Sequence, residues 1–315
     1  MKRLLNIVVI LAVLGVTGWL KMPYEQKLSE ELHALKLVPP RLSLKDRSKL
    51  KQKAFIATYG SLRPTIAAFM SVRTTRYHSD QEWDKIENSF DEIVLLDPYN
   101  YYYWETASWH MALNAAVDQQ EDKSLSEVGK DQVFKKYIKK GKDIIDRAIE
   151  INPGDWRYLN LKARLESNRY RNPDYTAAVE TYRELLAIPN LADHIVRSTK
   201  LSIQHCMQHL PEWHQKSYDH ALELFEKGQR YRVPTVQNEI LIGQNHPLNE
   251  ISHRLSLSEI YGSDKEAYTD LKIKWQRRKL GQKPYGVEYS IQELENRLKI
   301  PQATRVFPHR PLFLK

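Results

Sequence analysis

The stretch GKDIIDRAIEINPGDWRYLNLKARLE, residues 141–166, decides the fold. Its first half sets a small residue, Gly141, four positions before a large one, Ile145, and a second small one, Ala148, three positions further on. Small residues let a neighbouring helix approach, and the large one fills the groove between ridges. Asn152-Pro153-Gly154 then stops the helix, because proline lacks the amide donor and clashes with the preceding turn. Asp155 supplies an oxygen for the free amides of a new helix that begins at Trp156. Helix, short break, capped helix is the unit to look for on either side.

It recurs. Ala221, Phe225, Gly228 and Pro234 keep the spacing to within one residue. Ala178, Tyr182, Leu185 and Pro189 match in part, while Ile86, Phe90, Ile93 and Pro98 keep the spacing but not the small residues. This pattern resembles the second helix of a tetratricopeptide repeat, at unequal intervals and with insertions. The expected fold is all-α, an N-terminal transmembrane helix followed by a degenerate tetratricopeptide-like array of helical hairpins.

The remaining boundaries follow from local signals. Arg63-Pro64 opens a helix with Ile66, Ala67, Phe69, Met70, Arg73 and Tyr77 on its face. Ser79-Asp80-Gln81-Glu82 reads as a capping box for the next, whose face is Trp83, Ile86, Phe90, Ile93 and Val94 and which Asp97-Pro98 ends. Asn100 starts a helix through Val117, a polar insertion fills about 118–126, and a long helix runs to Ile151. Helices at about 156–170, 175–187, 191–207 and 212–230 follow, then one from Asp264 to Leu280 and a short one begun by Ser290-Ile291-Gln292-Glu293. Within residues 60–117, Gly60-Ser61-Leu62-Arg63, Trp83 to Pro98, Tyr103-Trp104-Glu105 and Ser108-Trp109 to Asn114 resemble an uncharacterised family of bacterial membrane-anchored proteins with such repeats. That resemblance implies no activity.

Composition agrees with stacked helices. The chain has 315 residues, 42% hydrophobic, with 11 Gly against 18 Tyr and 7 Trp, so tight turns are few and bulky packing groups many. The charge is +9, which suits an acidic protein, an anionic membrane or nucleic acid without choosing among them. The single Cys206 excludes an intramolecular disulfide.

At the N-terminus, Lys2-Arg3 precede Leu4 to Leu20, which carry no charge, and Trp19 and Lys21 follow in the place of an interfacial anchor. Seventeen residues span about 25 Å against a hydrocarbon core of roughly 30 Å, so a cleaved signal is the rival to an uncleaved signal-anchor. Residues 21–53 read as a stalk and 54–234 as the repeats. Residues 235–300 read as C-terminal helices and 301–315 as a Pro-rich basic tail. Lys2-Arg3 favour a cytoplasmic N-terminus with the body outside, on the periplasmic side, against the basic residues Arg41, Lys45, Arg47, Lys49, Lys51 and Lys53.

Chemistry is sparse. His205 and His209 are spaced to share one helical face beside Cys206, with His194, His214 and His220 near in sequence, but no third metal ligand is fixed by spacing. No phosphate loop, nucleophile elbow or dinucleotide fingerprint occurs. Neither catalysis, nor a cofactor, nor a metal is expected, and Glu87, Asp91 and Glu92 read as solvated helix faces. The expected role is a membrane-tethered scaffold that binds a protein or peptide partner; its arginine-bearing trio would suit an acidic or C-terminal carboxylate peptide. Its candidate surface is Tyr102, Glu105 and Trp109 on one helix and Arg157, Asn160 and Arg164 on another, each trio at i, i+3, i+7. The alternative is polyanion binding by Lys272, Lys274, Arg277, Arg278 and Lys279 around Trp275, through lipid headgroups or, less favoured, nucleic acid.

Overall fold

The computed structural model describes residues 2–40, 42–43, 62–278 and 284–308, without the side chains of residues 2–9 and 11. The basic residues from Arg41 to Lys53, the Gly60-Ser61 pair, Lys279 and the end of the tail lie outside the described residues. Among the described residues every regular element is helical, as the sequence predicts. The chain divides into two compact units, Met1–Tyr158 and Leu159–Lys315.

Unit 1 begins with α1, Lys2–Ala34, which continues through Pro23 well into the segment read as a stalk. Among the described residues no helix is long and apolar enough to cross a membrane. Two hairpins follow. The first is α2, Arg63–Ser79, against α3, Trp83–Leu96. The second sets α4, Tyr101–Trp109, a π-helical turn His110–Ala115 and α5, Ala116–Glu121, against α6, Glu127–Ile151.

The predicted α3 face is buried in full, and it forms one core with Trp104, Ala107, Met111, Ile144, Ala148 and Tyr158. Gly141 is where α6 meets the second hairpin's other arm. A Cβ there would lie 2.5 Å from Ala112 Cβ and 3.0 Å from the Ser108 carbonyl oxygen, so only glycine permits this approach. Ion pairs Lys140–Glu87 and Arg147–Asp91 tie α6 to α3, so Glu87 and Asp91 are not merely solvated.

Two local expectations fail. Ser79 belongs to the end of α2, where its hydroxyl donates to Thr75 O, so it cannot cap α3; Glu82 stands at that N-cap without a side-chain bond. Phe69 points to solvent, because the inward row of α2 is Arg63, Ala67, Met70, Thr74 and Tyr77. Arg63 is buried at the start of that row. Its guanidinium donates to Pro40 O at 2.6 Å, to Leu95 O at 2.5 Å and, more distantly, to Pro39 O at 3.5 Å.

Unit 2 contains α8, Tyr175–Leu186, and α9, Asp193–Met207, then α10, His214–Glu226, and α11, Pro234–Gln244. It ends with α12, Leu257–Tyr261, α13, Asp264–Gln276, and α14, Val287–Arg297. The helix α7, Trp156–Glu166, contains the division between the units. Helix α11 is buried on every side. Its polar side chains hold the loops around it: Gln237 donates to Ile260 O, Asn238 accepts from Tyr261 Oη, and Gln244 exchanges two bonds with the Leu255 backbone. Gly228, expected as a packing residue, instead follows α10 at φ 107°, a turn conformation that favours glycine. Ser290 does not start a helix but lies buried inside α14, which begins after Gly286.

Candidate functional site

Tyr102 and Trp109 stand on the outer face of α4, about half exposed, while Tyr103 and Trp104 turn into the core. Asn100 caps the helix by accepting from Tyr102 N, which fixes the register of that face. Glu105 lies on the same side of the helix, one turn on from Tyr102, and accepts a hydrogen bond from Tyr101 Oη at 3.2 Å. Tyr101 in turn lies under the Arg157 guanidinium, 5.1 Å from its ring centre, and beside the Tyr158 ring at 5.3 Å. Tyr101 thus links Glu105 to Arg157 on unit 1, while Tyr102 and Trp109 share the outer face of α4 by their spacing.

Arg157 is not a free fork. Its Nε and Nη2 donate to the Asp155 carboxylate at 2.9 and 2.5 Å, and Asp155 also accepts from the Arg157 amide as the sequence-predicted cap. Burial pushes the Asp155 carboxyl up, but the bonds and charge of Arg157 outweigh it and hold it below its ordinary value. The same pairing raises Arg157. A partner carboxylate must therefore displace or share Asp155. Asn160 and Arg164 lie three and seven residues along α7 from Arg157, but both belong to unit 2; Arg164 is exposed and Asn160 half-buried. Sequence reasoning missed Tyr101, which the periodicity placed off the Tyr102 face, and the pairing role of Asp155. Tyr158 was missed as well: its hydroxyl is buried with no hydrogen-bond partner.

A second cluster surrounds the π-helical turn of unit 1. The extra residue of a π turn rotates the side chains of the next helical turn. Here the Asn114 amide nitrogen lies 3.1 Å from His110 Nδ1 and 3.3 Å from His78 Nε2, with Phe90 and Trp83 beside the rings. Burial, then the neighbouring His78, lowers His110 to about 4. Its folded value lies below the ordinary 6.5, so the native state prefers the neutral ring. This contribution to stability is complete above pH 6.5 and is lost as pH falls from there through 4. Discounting the full linkage for solvent screening, acidification from pH 7 to 4.5 should cost the parent about 2 kcal/mol more than a His110→Gln variant in urea unfolding. Equal losses in the two proteins would refute this.

The histidine-rich hairpin of unit 2 is bound up in packing. His209 stacks on Tyr175, His214 stacks on His246 and bonds Asn249, and His220 Nδ1 lies 2.8 Å from Gln204 Oε1. Cys206 is buried, which pushes its thiol up to about 11. Among the described residues no three His, Cys, Asp or Glu side chains are grouped to hold a metal. The basic run on α13 is partly spent as well. Lys274 faces inward, where burial lowers it against the attraction of Glu239, and Arg278 lies over the Trp275 ring at 3.6 Å. An open groove of about 740 Å³ runs beside it, lined by Arg232, Gln237, Tyr261, Glu266, Thr269 and Asp270, with charges of both signs.

No family model matches this chain, and no curated protein and no solved structure matches it. What the described residues themselves define is an all-helical protein, with exposed aromatic and charged side chains on the second hairpin of unit 1.

Proposed function

We propose that this chain is a membrane-tethered scaffold whose tetratricopeptide-like hairpins bind a protein or peptide partner, without catalysis. The observation that carries the tether is α1. Ile10, Val13, Leu14, Val16, Trp19 and Leu20 are all more than half exposed, and they surround the helix instead of forming one stripe. A helix apolar all round needs an apolar medium or a covering partner. The Leu4 to Leu20 run is short for a bilayer, yet Lys2, Arg3, Trp19 and Lys21 at its ends can reach the interfaces, and local thinning costs only fractions of a kcal/mol per Å. Single-pass insertion with a cytoplasmic N-terminus and an external body fits Lys2-Arg3, and a cleaved signal is the outcome that opposes it. Kinship with the bacterial membrane-anchored repeat family belongs to the same reading.

Partner binding rests on Tyr102 and Trp109. Large aromatics left exposed at i and i+7 on one helix, in a unit that also holds Arg157 over Tyr101, have the composition of binding hot spots. The polyanion alternative is weaker, because Lys274 and Arg278 are already engaged within unit 2. The test uses the full chain in native membranes. It should stay in the carbonate-washed pellet with Met1 intact, and a Tyr102→Ala/Trp109→Ala variant should recover its cross-linked partners at least about tenfold less well with an unchanged melting temperature. A mature N-terminus near Trp19 overturns the tether; undiminished recovery overturns the binding face.

A further inference from the structure

Outside α1, the most exposed apolar side chains among the described residues of unit 1 lie on the outer face of α2, where Phe69 is 75% and Val72 73% exposed. Thr65, Phe69, Val72 and Arg76 recur at i, i+4, i+7 and i+11, so they form one stripe, with Leu62 beyond its start and Arg73 beside it. Stacked-hairpin proteins normally close their terminal helix with a polar face. Among the described residues α2 is the first helix of the paired hairpins, and it carries the opposite pattern. Its sequence has no acidic residue, and Asp80, which follows the helix, lies 3.8 Å from Arg76, both well exposed.

We propose that this face of α2 docks onto the surface of an anionic bilayer, with Phe69 and Val72 entering the headgroup boundary and Arg73 and Arg76 meeting lipid phosphates. The proposal rests on the tether reading. Apolar residues backed by arginine and free of acids are what an interfacial helix presents. Covalent continuity brings the face near the membrane. Leu20 to Ala34 adds only about 21 Å of helix, and Arg63 pins the carbonyl of Pro40, a few residues further on, to the start of α2. Pro23 cannot donate to the Trp19 carbonyl, which sets a bend-prone turn where the apolar run ends. A second copy fits less well, because a symmetric pairing of this face would set Arg73 and Arg76 of both chains together.

The full chain is reconstituted into vesicles of phosphatidylcholine alone or mixed with phosphatidylglycerol. Its natural thiol, Cys206, is buried and poorly ionised, so a Val72→Cys variant takes an environment-sensitive fluorophore at one place. In the anionic vesicles the emission should shift to the blue and be quenched by lipid carrying a spin label near the headgroup. In neutral vesicles it should stay water-like. Adding Arg73→Gln/Arg76→Gln should lower the docked-to-free ratio about 30-fold. Water-like emission in both vesicles, with the chain still resistant to carbonate, overturns the docking and leaves the tether standing. A blue shift without lipid quenching overturns it in favour of a protein occupant, and release of the chain by carbonate overturns tether and docking together.

Discussion

Replacing Gly141 by leucine should destabilise unit 1 by about 3 kcal/mol, seen as a lower urea midpoint in the transition that reports Trp104 fluorescence. Two effects oppose each other. Leucine is a better helix former than glycine by somewhat under about 1 kcal/mol, which favours the variant. Against this, its first side-chain atom already falls 2.5 Å from Ala112 Cβ and 3.0 Å from a backbone oxygen, neither of which can move without shifting the second hairpin. Overpacking against backbone therefore wins. Gly129→Ala in the same helix is the control, since its new Cβ meets nothing nearer than Ser126 Oγ at 3.3 Å, and it should be close to neutral. A Gly141→Leu protein as stable as its parent would mean that α6 does not approach the other arm at this point.

That prediction rests on a feature the sequence displayed, the small-large-small spacing at Gly141, Ile145 and Ala148. The face Trp83, Ile86, Phe90, Ile93 and Val94 was equally legible, because helical periodicity reports burial directly when one side is fully covered. Periodicity is weaker at the end of a stack. On α2 the rows through Ala67 and through Phe69 both mix apolar with polar residues, and only the position of α3 decides which is inside. The capping-box rule matched Ser79 to Glu82 correctly in spacing, but the preceding helix had already taken Ser79. Helix α11 would pass for a surface helix by its Gln237, Asn238, Glu239 and Gln244, yet these serve buried loop backbone that no local pattern announces.

The candidate site divides the same way. Exposure of Tyr102 and Trp109 follows from their spacing on a helix whose other side is core. The state of Arg157 does not, because it depends on a side chain two residues earlier competing with any ligand. Nor was the π turn visible. Nothing in His110 to Ala115 breaks the helical pattern, and the bridge from Asn114 to two histidines needs the fold to bring His78 across.

Replacing Arg63 by methionine should release Pro39 and Pro40, which follow α1, from the first hairpin. Methionine keeps much of the aliphatic volume inside the row of Ala67 and Met70 but donates nothing. The carbonyls of Pro40 and Leu95 then lose charge-assisted bonds of 2.6 and 2.5 Å, and each such bond is worth roughly 1.5 to 3 kcal/mol. Part of that loss is offset, since Arg63 Nε is itself buried without a partner and its desolvation disappears with the side chain. A net cost of about 3 kcal/mol corresponds to local opening more frequent by about 100-fold. Trypsin should read it at Lys36, which is exposed, with its ammonium over the Tyr99 ring and its amide on His33 O. Cleavage after Lys36 should accelerate by about that factor in Arg63→Met and by less in Arg63→Lys, which keeps the charge without the planar fork. If both variants lose overall stability while Lys36 is cut no faster than in the parent, Arg63 is core packing alone. The carbonyls it holds would then take no part in joining the N-terminal helix to the folded hairpins.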